Sequence, residues 1–217
     1  TLLCKFDGQR VTMASQIAGA DETVSSLYSV KSEQATMLSF DTYNYLVHYF
    51  GQPQGSMADD PNGTLGGDYE FIISSASAER IELKGKKYGN RIVMKALSED
   101  QTWKQYLTKI KKVEDDAFFY EYDLLMDGLY TGQMLRSNYT FIVTYYDEIG
   151  KVHQKTVPFM FTADGMRFHE PVTIDGQTMQ NFVWKNELIS FVCTDEGATG
   201  VKMKGIYIDG YQSYDYY

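Results

Sequence analysis

Residues that bind metals or form disulfides are scarce in this chain of 217 residues, which has 2 cysteines and 3 histidines. His48, His153 and His169 show no i, i+4 spacing, so we predict no metal site and no cofactor. Cys4 and Cys193 lie in apolar strand contexts, where a free thiol behaves as a small buried hydrophobic side chain. A disulfide between them stays open, since it needs Cα atoms within about 7 Å.

Long apolar runs and an excess of basic residues are also missing. No segment approaches the roughly 18 apolar residues of a membrane-spanning helix. The formal net charge is -9, whereas nucleic-acid phosphates require a clustered Lys/Arg surface. We therefore expect no nucleic-acid partner. The chain begins at Thr1 without Met or an export signal, so we expect its natural N-terminus to lie upstream.

Familiar catalytic motifs are absent as well. The sequence contains no nucleophile elbow, no P-loop and no dinucleotide-binding glycine pattern. A glycosidase-like pair of carboxylates stays open, because such a pair is defined by its separation in space and the chain has 29 acidic residues. We predict that the protein is not an enzyme, with a carboxylate-dependent hydrolase as the alternative.

Signals for strands and tight turns are abundant. Hydrophobic residues make up 43% of the chain and charged residues 23%, as in a protein with a packed core. Alternating strand-like runs form a predicted antiparallel meander from Asp68 to Leu97. Aspartate-glycine pairs, which tolerate the positive φ of hairpin turns, recur at Asp7-Gly8, Asp127-Gly128, Asp164-Gly165, Asp175-Gly176 and Asp209-Gly210.

Two helices interrupt this pattern. Ser98 and Gln101 match a capping box, and Trp103 opens an apolar stripe with helical spacing that continues through Leu107 and Ile110. A shorter helix is predicted over residues 42–50, with Asp41 as its N-cap. We therefore expect an N-terminal β half at residues 1–97, a linking amphipathic helix at 98–119 and a C-terminal β half at 120–217, packed together as one unit and monomeric.

The two β halves resemble each other. Residues 6–11, which read Phe-Asp-Gly-Gln-Arg-Val, are similar to residues 163–168, which read Ala-Asp-Gly-Met-Arg-Phe. A second pair of similar segments, 28–41 and 182–195, follows in the same order. The fold expected from these patterns is mainly β with minor α, built from antiparallel meander sheets in two related halves.

Aromatic residues supply 15% of the chain, with 18 tyrosines. Most should pack on strand faces, but a minority could line a glycan or lipid cleft. The long irregular segment Gln52 to Gly67 is either the rim of a site or an insertion. We predict a ligand-binding site at Tyr45, His48, Tyr49, Asp59 and Asp60; the aromatic candidates for a cleft are Tyr43, Tyr45, Tyr49, Trp103 and Trp184.

Three segments carry a family resemblance, at residues 39–48, 66–71 and 83–87. They resemble a Bacteroidetes lipoprotein family of unknown function (domain of unknown function 4302). The resemblance implies an exported cell-envelope protein, periplasmic or anchored to the outer membrane, whose only membrane association is a lipid anchor upstream of residue 1. It also implies a lipocalin-like β fold, a barrel or a sandwich, and it carries no catalytic residues.

The function expected from these observations is that of a non-enzymatic cell-envelope binding module. Its ligand would be a lipid or another hydrophobic molecule, or a glycan. The alternatives are the carboxylate-dependent hydrolase and a structural partner in an outer-membrane assembly.

Overall fold

The fold is described from a computed structural model, which describes residues 1–32, 35–51, 66–98, 100–147 and 149–207. The chain divides into two compact units, Thr1–Leu107 and Thr108–Tyr217. Both units are built from antiparallel strands, which confirms the predicted mainly β fold. The units differ in how their sheets end, because the first has open sheets and the second has a closed barrel.

The first unit contains two open sheets. A three-stranded sheet is followed by a five-stranded one, and each is a meander of sequential neighbours. The meander predicted over residues 68–97 forms the last three strands. The strands of the first sheet are β1 Leu2–Asp7, β2 Arg10–Ser15 and β3 Val24–Leu27; those of the second are β4 Ser29–Ser32, β5 Thr36–Ser39, β6 Glu70–Ala76, β7 Arg80–Gly85 and β8 Arg91–Lys95.

One apolar core joins the two sheets of this unit and a short helix, α1 (Tyr45–His48). The core is formed by residues from β2, β5, β6, β7 and α1 and by Phe40, which follows β5: Val11, Met13, Leu38, Phe40, Leu46, Val47, Phe71 and Leu83, all less than 9% exposed. The alternation of buried and exposed residues along the strands places one face of each sheet on this core, as the sequence pattern predicts.

The predicted amphipathic helix, α2, runs over Trp103–Asp116. Leu107, Ile110 and Val113 are buried on one face, which confirms the predicted stripe, although Trp103 itself is only half-buried. The boundary between the two units falls within this helix.

The capping box of α2 was predicted four residues too early. Thr102 Oγ1 accepts the backbone N–H of Gln105 at 3.2 Å, and Gln105 Oε1 accepts the backbone N–H of Thr102 at 3.0 Å. Ser98 instead accepts the backbone N–H of Gln101 through its carbonyl oxygen, at 3.4 Å, in a turn before the helix. Both pairs have the sequence signature, but only Thr102 and Gln105 adjoin the apolar stripe of the helix.

The second unit is an eight-stranded antiparallel barrel, in which every strand pairs with its sequence neighbour and the last strand pairs with the first. Of the two predicted alternatives, a barrel and a sandwich, the second unit forms the barrel. Its strands are β9 Glu121–Met126, β10 Leu129–Ser137, β11 Thr140–Tyr146, β12 Val152–Phe161, β13 Gly165–Ile174, β14 Gln177–Lys185, β15 Ser190–Cys193 and β16 Val201–Ile206.

Aromatic side chains fill the interior of this barrel. Phe141 and Phe159 stack with ring centroids 4.4 Å apart, and Phe161 meets Phe159 edge-on at 5.3 Å. The largest buried rings, each at most 1% exposed, are Tyr122, Phe141, Phe159, Phe161, Phe168 and Phe191. An eight-stranded barrel is just wide enough for its own side chains. The interior is therefore a packed core.

The residue that follows α2, Ala117, is bonded to two side chains of the barrel. Tyr122 Oη donates to the carbonyl oxygen of Ala117 at 2.6 Å, and Arg136 Nη1 donates to the same oxygen at 3.3 Å. The Arg136 guanidinium also lies 5.0 Å from the centroid of Phe161. The Trp184 ring meets the buried Phe191 ring at 4.8 Å, and the two residues are paired across β14 and β15. Trp184 is thus part of the packing of the barrel.

Candidate functional site

A surface cleft of about 470 Å³ lies in the first unit, beside the turn between β1 and β2. Gly8 adopts a φ of 58° in this turn, a conformation that glycine takes without strain. The backbone N–H of Tyr28 donates to the carbonyl oxygen of Gln9 at 3.1 Å, and that of Asp41 donates to Leu27 at 3.0 Å. These bonds hold three separate segments around one opening.

The lining of the cleft combines an aromatic ring with polar groups. The Tyr28 ring meets Phe6 edge-on, with centroids 4.8 Å apart. The amide of Gln9 and the carboxylate of Asp41 are exposed and line the same opening. Small-molecule sites are typically concave, with apolar walls and a few polar groups that fix the orientation of the ligand. The cleft has this character.

Asp41 is the charged group of the described lining. The Ser29 hydroxyl is the main influence that lowers the pKa of its carboxyl, with Ser39 and Lys31 adding to the effect. Ser29 Oγ is shielded from water and faces this carboxylate, although their approach falls outside ordinary hydrogen-bond geometry. Lys31 Nζ lies 3.5 Å from Asp41 Oδ1. Asp41 is therefore an ionised hydrogen-bond acceptor at neutral pH.

An aromatic ladder, formed by Tyr43, His48 and Tyr69, lies in the same unit. The His48 ring stacks on Tyr69 with centroids 5.0 Å apart and planes 15° apart. Tyr43 contacts the His48 ring at 5.1 Å in a tilted arrangement. Tyr43 is 64% exposed and Tyr69 47% exposed. The ladder thus presents aromatic surface to solvent.

The N-cap of α1 is Asn44, whereas Asp41 was predicted, so that prediction was wrong. Asn44 Oδ1 accepts the backbone N–H of Leu46 at 3.1 Å. Its Nδ2 donates to Ser26 Oγ at 3.1 Å, inside the unit. Asp41 cannot serve as the cap because the helix begins at Tyr45, four residues later. Asn44 is fully buried, so the cap also fixes the helix to the core.

Of the five predicted site residues, the structure describes three. His48 belongs to the ladder. Tyr45 donates a short hydrogen bond to Glu22, which raises the pKa of Tyr45, and its ring packs against the core. Tyr49 contacts Phe50 at 5.2 Å. The predicted residues Asp59 and Asp60 lie outside the described residues, and a ligand role for all five stays a prediction.

The ends of the predicted loop, Gln52 to Gly67, are held together. Residues 52–65 lie outside the described part of the chain. The backbone N–H of Gly67 donates to the carbonyl oxygen of Phe50 at 2.7 Å. A Cβ on Gly67 would lie 2.3 Å from Cβ of Phe50, and one on Gly51 would lie 2.8 Å from the Gly67 oxygen. Glycine is required at both positions because the two backbones approach so closely.

Sequence reasoning missed the cleft. Asp41 was interpreted only as a helix cap, and Tyr28 and Gln9 were not singled out as site residues. The one local signal was the Asp7-Gly8 turn, which places Gln9 at a hairpin tip. Nothing in the sequence shows that this tip meets Tyr28 and Asp41, because the contact joins two sheets.

Two partly buried aspartates of the barrel have shifted pKa values. Burial raises the pKa of Asp195, but the N–H groups of Asn181 and Gln180 outweigh it and lower the pKa overall. Asp195 thereby connects β14 to the end of β15. Burial, with Glu121 nearby, raises the pKa of Asp123 on the barrel wall. Asp123 pairs in register with Lys204 and Gln133 on the neighbouring strands.

Three further observations concern the described residues alone. Among them, no group of three or more His, Cys, Asp or Glu side chains has an arrangement that would hold a metal ion. No helix in those ranges has the length and apolarity needed to cross a bilayer. Cys4 and Cys193 are both free thiols.

Residues 1–186 match the model of a family described as a domain of unknown function (DUF4302). The chain belongs to this family. Neither a curated protein nor a solved structure shows significant similarity to the chain. The family assignment agrees with the resemblance noted from the sequence, and the family description gives no activity, ligand or location.

Proposed function

We propose that this protein is a non-enzymatic binding module of the cell envelope whose ligand is a neutral glycan. The observation that carries the proposal is the cleft, in which the Tyr28 ring, the Gln9 amide and the ionised Asp41 carboxylate line one opening. A pyranose ring has apolar C–H faces that pack on aromatic rings and hydroxyl groups that donate to carboxylate and amide oxygens. The cleft offers both kinds of contact.

The barrel supports a glycan over an enclosed lipid. Phe141, Phe159 and Phe168 occupy the space in which a lipocalin-like protein would hold an apolar ligand, and each is at most 1% exposed. Admitting an acyl chain would require displacing close-packed rings. The cleft of the first unit, in contrast, is open to solvent and partly polar.

The charge of the cleft supports a neutral glycan over an acidic one. Asp41 is negative, and the described residues that line the cleft include no Lys or Arg. The nearby Lys31 ammonium already pairs with Asp41. A uronic acid or a sulfated sugar would therefore meet a like charge without a cation to compensate it.

The state of Asp41 also favours binding without hydrolysis. A glycosidase requires a protonated carboxylic acid, whose pKa is raised, to protonate the leaving group. Ser29, Ser39 and Lys31 lower the pKa of Asp41, which suits a permanent acceptor. Among the described residues, the carboxyl with a raised pKa is Asp123, which belongs to the second unit. The envelope location is proposed from the family resemblance alone.

Calorimetric titration with neutral β-linked oligosaccharides tests the proposal. The probes are the cello-oligosaccharides and the N-acetylglucosamine oligomers from disaccharide to hexasaccharide, with oligogalacturonate as the acidic comparison. We expect binding of a neutral series, no binding of the galacturonate and no change in the sugar after prolonged incubation. Release of shorter sugars would instead identify a hydrolase.

Variants at the cleft make the test specific. Asp41→Asn removes the charge but keeps the size of the side chain, and should weaken binding roughly tenfold because hydrogen bonds to charged groups are the strong ones. Gln9→Ala should weaken it as well. Asp21→Asn, which changes an exposed aspartate of the same unit, is the matched control. Equal affinity of Asp41→Asn and Asp21→Asn would show that the sugar does not bind in the cleft.

A second candidate, the structural partner of a larger assembly, is favoured by an apolar corner of the barrel. This corner consists of Leu129, Tyr130, Tyr146, Ile149 and Val152, which are 52% to 87% exposed. Tyr146 and Val152 are paired across β11 and β12. Exposed apolar groups of this kind mark contact surfaces. The combined variant Leu129→Ser and Ile149→Ser should reduce cross-linking to neighbouring proteins in intact cells if this candidate holds.

A further inference from the structure

We infer that the aromatic ladder of Tyr43, His48 and Tyr69 is a second sugar subsite, so that the ligand is an oligosaccharide longer than the cleft itself. The inference rests on the proposed function and extends it from a sugar to a chain of sugars. It is carried by the geometry of the ladder, by the way the ladder is held, and by its position beside Asp41.

The ladder has the form of a stacking platform. The Tyr69 and His48 rings are nearly parallel, 15° apart, and Tyr43 continues the series at 5.1 Å from His48. More than half of Tyr43 and nearly half of Tyr69 is exposed. His48 covers one face of Tyr69 and lies against Tyr43, so the outer faces of the two tyrosines are the apolar surfaces on which a pyranose can pack.

Two members of the ladder, His48 and Tyr69, are tied to the rest of the unit by hydrogen bonds. His48 Nδ1 lies 3.2 Å from the backbone nitrogen of Asn44 and 2.9 Å from its carbonyl oxygen. Asn44 is itself buried and bonded to Ser26. The carbonyl oxygen of Tyr69 accepts the backbone N–H of Phe40 at 3.0 Å. A preorganised surface loses little entropy on binding, so the exposed rings can contribute affinity.

The platform adjoins the cleft through a short stretch of chain. Asp41 lines the cleft, and Tyr43 follows two residues later, so their Cα atoms are at most about 7 Å apart. Phe40, which precedes Asp41, is the residue bonded to Tyr69. Thr42, between Asp41 and Tyr43, accepts the backbone N–H of Leu27 through its hydroxyl at 2.8 Å. The cleft and the ladder are therefore close together in the first unit.

The dependence of affinity on sugar length distinguishes the ladder from the cleft. The probes are the disaccharide and the hexasaccharide of the cello- and N-acetylglucosamine series, titrated into the full chain. Wild-type protein should bind a hexasaccharide more tightly than the disaccharide. Tyr43→Ala should lose roughly fivefold to tenfold in affinity for the hexasaccharide, the scale of one aromatic contact, and keep its affinity for the disaccharide.

Two variants control this comparison. Tyr43→Phe keeps the aromatic face and loses only the hydroxyl, so it should bind the hexasaccharide like the wild type. Weaker binding by Tyr43→Phe would show that the hydroxyl, and not the ring face, contacts the sugar. Tyr130→Ala removes a tyrosine of similar exposure, 57%, from the barrel and should have no effect. Tyr43 is exposed enough for its alanine variant to fold, which a thermal melt checks.

The outcomes separate the inference from the proposed function. If Tyr43→Ala binds the hexasaccharide like the wild type, or if wild-type affinity is independent of sugar length, the ladder is not a subsite while the cleft stands. An equal loss for both sugar lengths would also overturn a separate subsite. If neither neutral series binds the wild type, the proposed function and the inference fall together.

Discussion

Phe141 and Phe159 stack inside the barrel with ring centroids 4.4 Å apart and planes 24° apart. Each ring is at most 1% exposed, and Phe159 also meets Phe161 edge-on. The two residues lie on neighbouring strands, β11 and β12. Their stacking therefore holds these paired strands together and also fills the interior of the barrel. The stability of the second unit should depend on it.

Phe159→Ala should destabilise the protein by about 3 to 5 kcal/mol, since it removes a fully buried ring and leaves a cavity. The measurement is the free energy of unfolding from urea denaturation, followed by near-UV circular dichroism. Phe118→Ala is the matched control, because Phe118 is 72% exposed and should change the free energy little. Equal losses for both variants would contradict a packed barrel interior.

Thr102→Ala should destabilise helix α2 by about 1 kcal/mol because Thr102 is its N-cap. Ser98→Ala should have a much smaller effect, since Ser98 precedes the helix and bonds the nearby Asp100 side chain. Both variants remove a side-chain hydroxyl, so comparing their urea midpoints tests which capping box operates. A larger loss for Ser98→Ala would show that the helix begins earlier.

The two cysteines should be unreactive in the folded protein. Burial raises the pKa of Cys4 to about 12 and that of Cys193 to about 11. At pH 8 roughly one thiol in a thousand or fewer is then a thiolate, the reactive form. A chromogenic disulfide reagent should therefore label both thiols slowly in buffer and rapidly in denaturant. Fast labelling of native protein would contradict the burial of the thiols.

These thiols also connect stability to high pH. Their folded-state pKa values are raised above the usual value of 9.0, so the neutral form is favoured in the folded state. The stability they provide is complete below pH 9 and should fall as the pH rises from about 9 towards 11 to 12. Cys4→Ala and Cys193→Ala should each reduce this dependence.

Replacing residues 52–65 by a short Gly/Ser linker should leave the first unit folded. The ends of this segment are already joined by the bond from Gly67 to Phe50, and closure entropy changes only slowly with loop length. The thermal melt should stay close to that of the wild type. Loss of sugar binding in this variant would support the predicted rim, whereas unchanged affinity would place the site wholly on described residues.

Sugar binding should persist in mild acid. Ser29, Ser39 and Lys31 keep the pKa of Asp41 below its usual value, so its carboxylate stays ionised as the pH falls. Titrations with cellohexaose should give a flat profile from pH 7 to about pH 5, with loss only at lower pH as the carboxylate is protonated. A loss of affinity centred near pH 6 would indicate a histidine, and not Asp41, as the essential acceptor.

Local turns were predictable from the sequence. At Asp127-Gly128 and Asp175-Gly176 both residues have positive φ, between 47° and 83°, as the dipeptide predicts for a two-residue hairpin turn. Gly165 also follows an aspartate, but glycine is needed there for another reason. It begins β13, and a Cβ at this position would lie 2.0 Å from the carbonyl oxygen of Phe182. The dipeptide signal thus located a turn there without showing the close strand contact.

Long-range contacts were not predictable. Val201 pairs with Met126 across the closure of the barrel, and Tyr28 bonds to Gln9 across two segments of the first unit. Periodicity reports which residues face a core, but it does not report which sheet edge meets which. His48 was predicted in a ligand site with Tyr45 and Tyr49, and that role stays a prediction. The ring neighbours of His48 in the structure are Tyr43 and Tyr69. Tyr69 lies 21 residues further along the chain, just before β6, so its stacking on His48 could not be predicted from local sequence.

The pairing of β9 with β16 has a consequence for how the barrel forms. These are the first and last strands of the barrel, so during synthesis strands β9 to β15 emerge with two unpaired edges. Open edges recruit strands from other chains, and contacts between distant parts of a sequence form slowly. The nascent chain is therefore exposed to aggregation until Val201 to Ile206 have been made. A stop codon shortly before Val201 should yield insoluble protein although seven of the eight strands are complete.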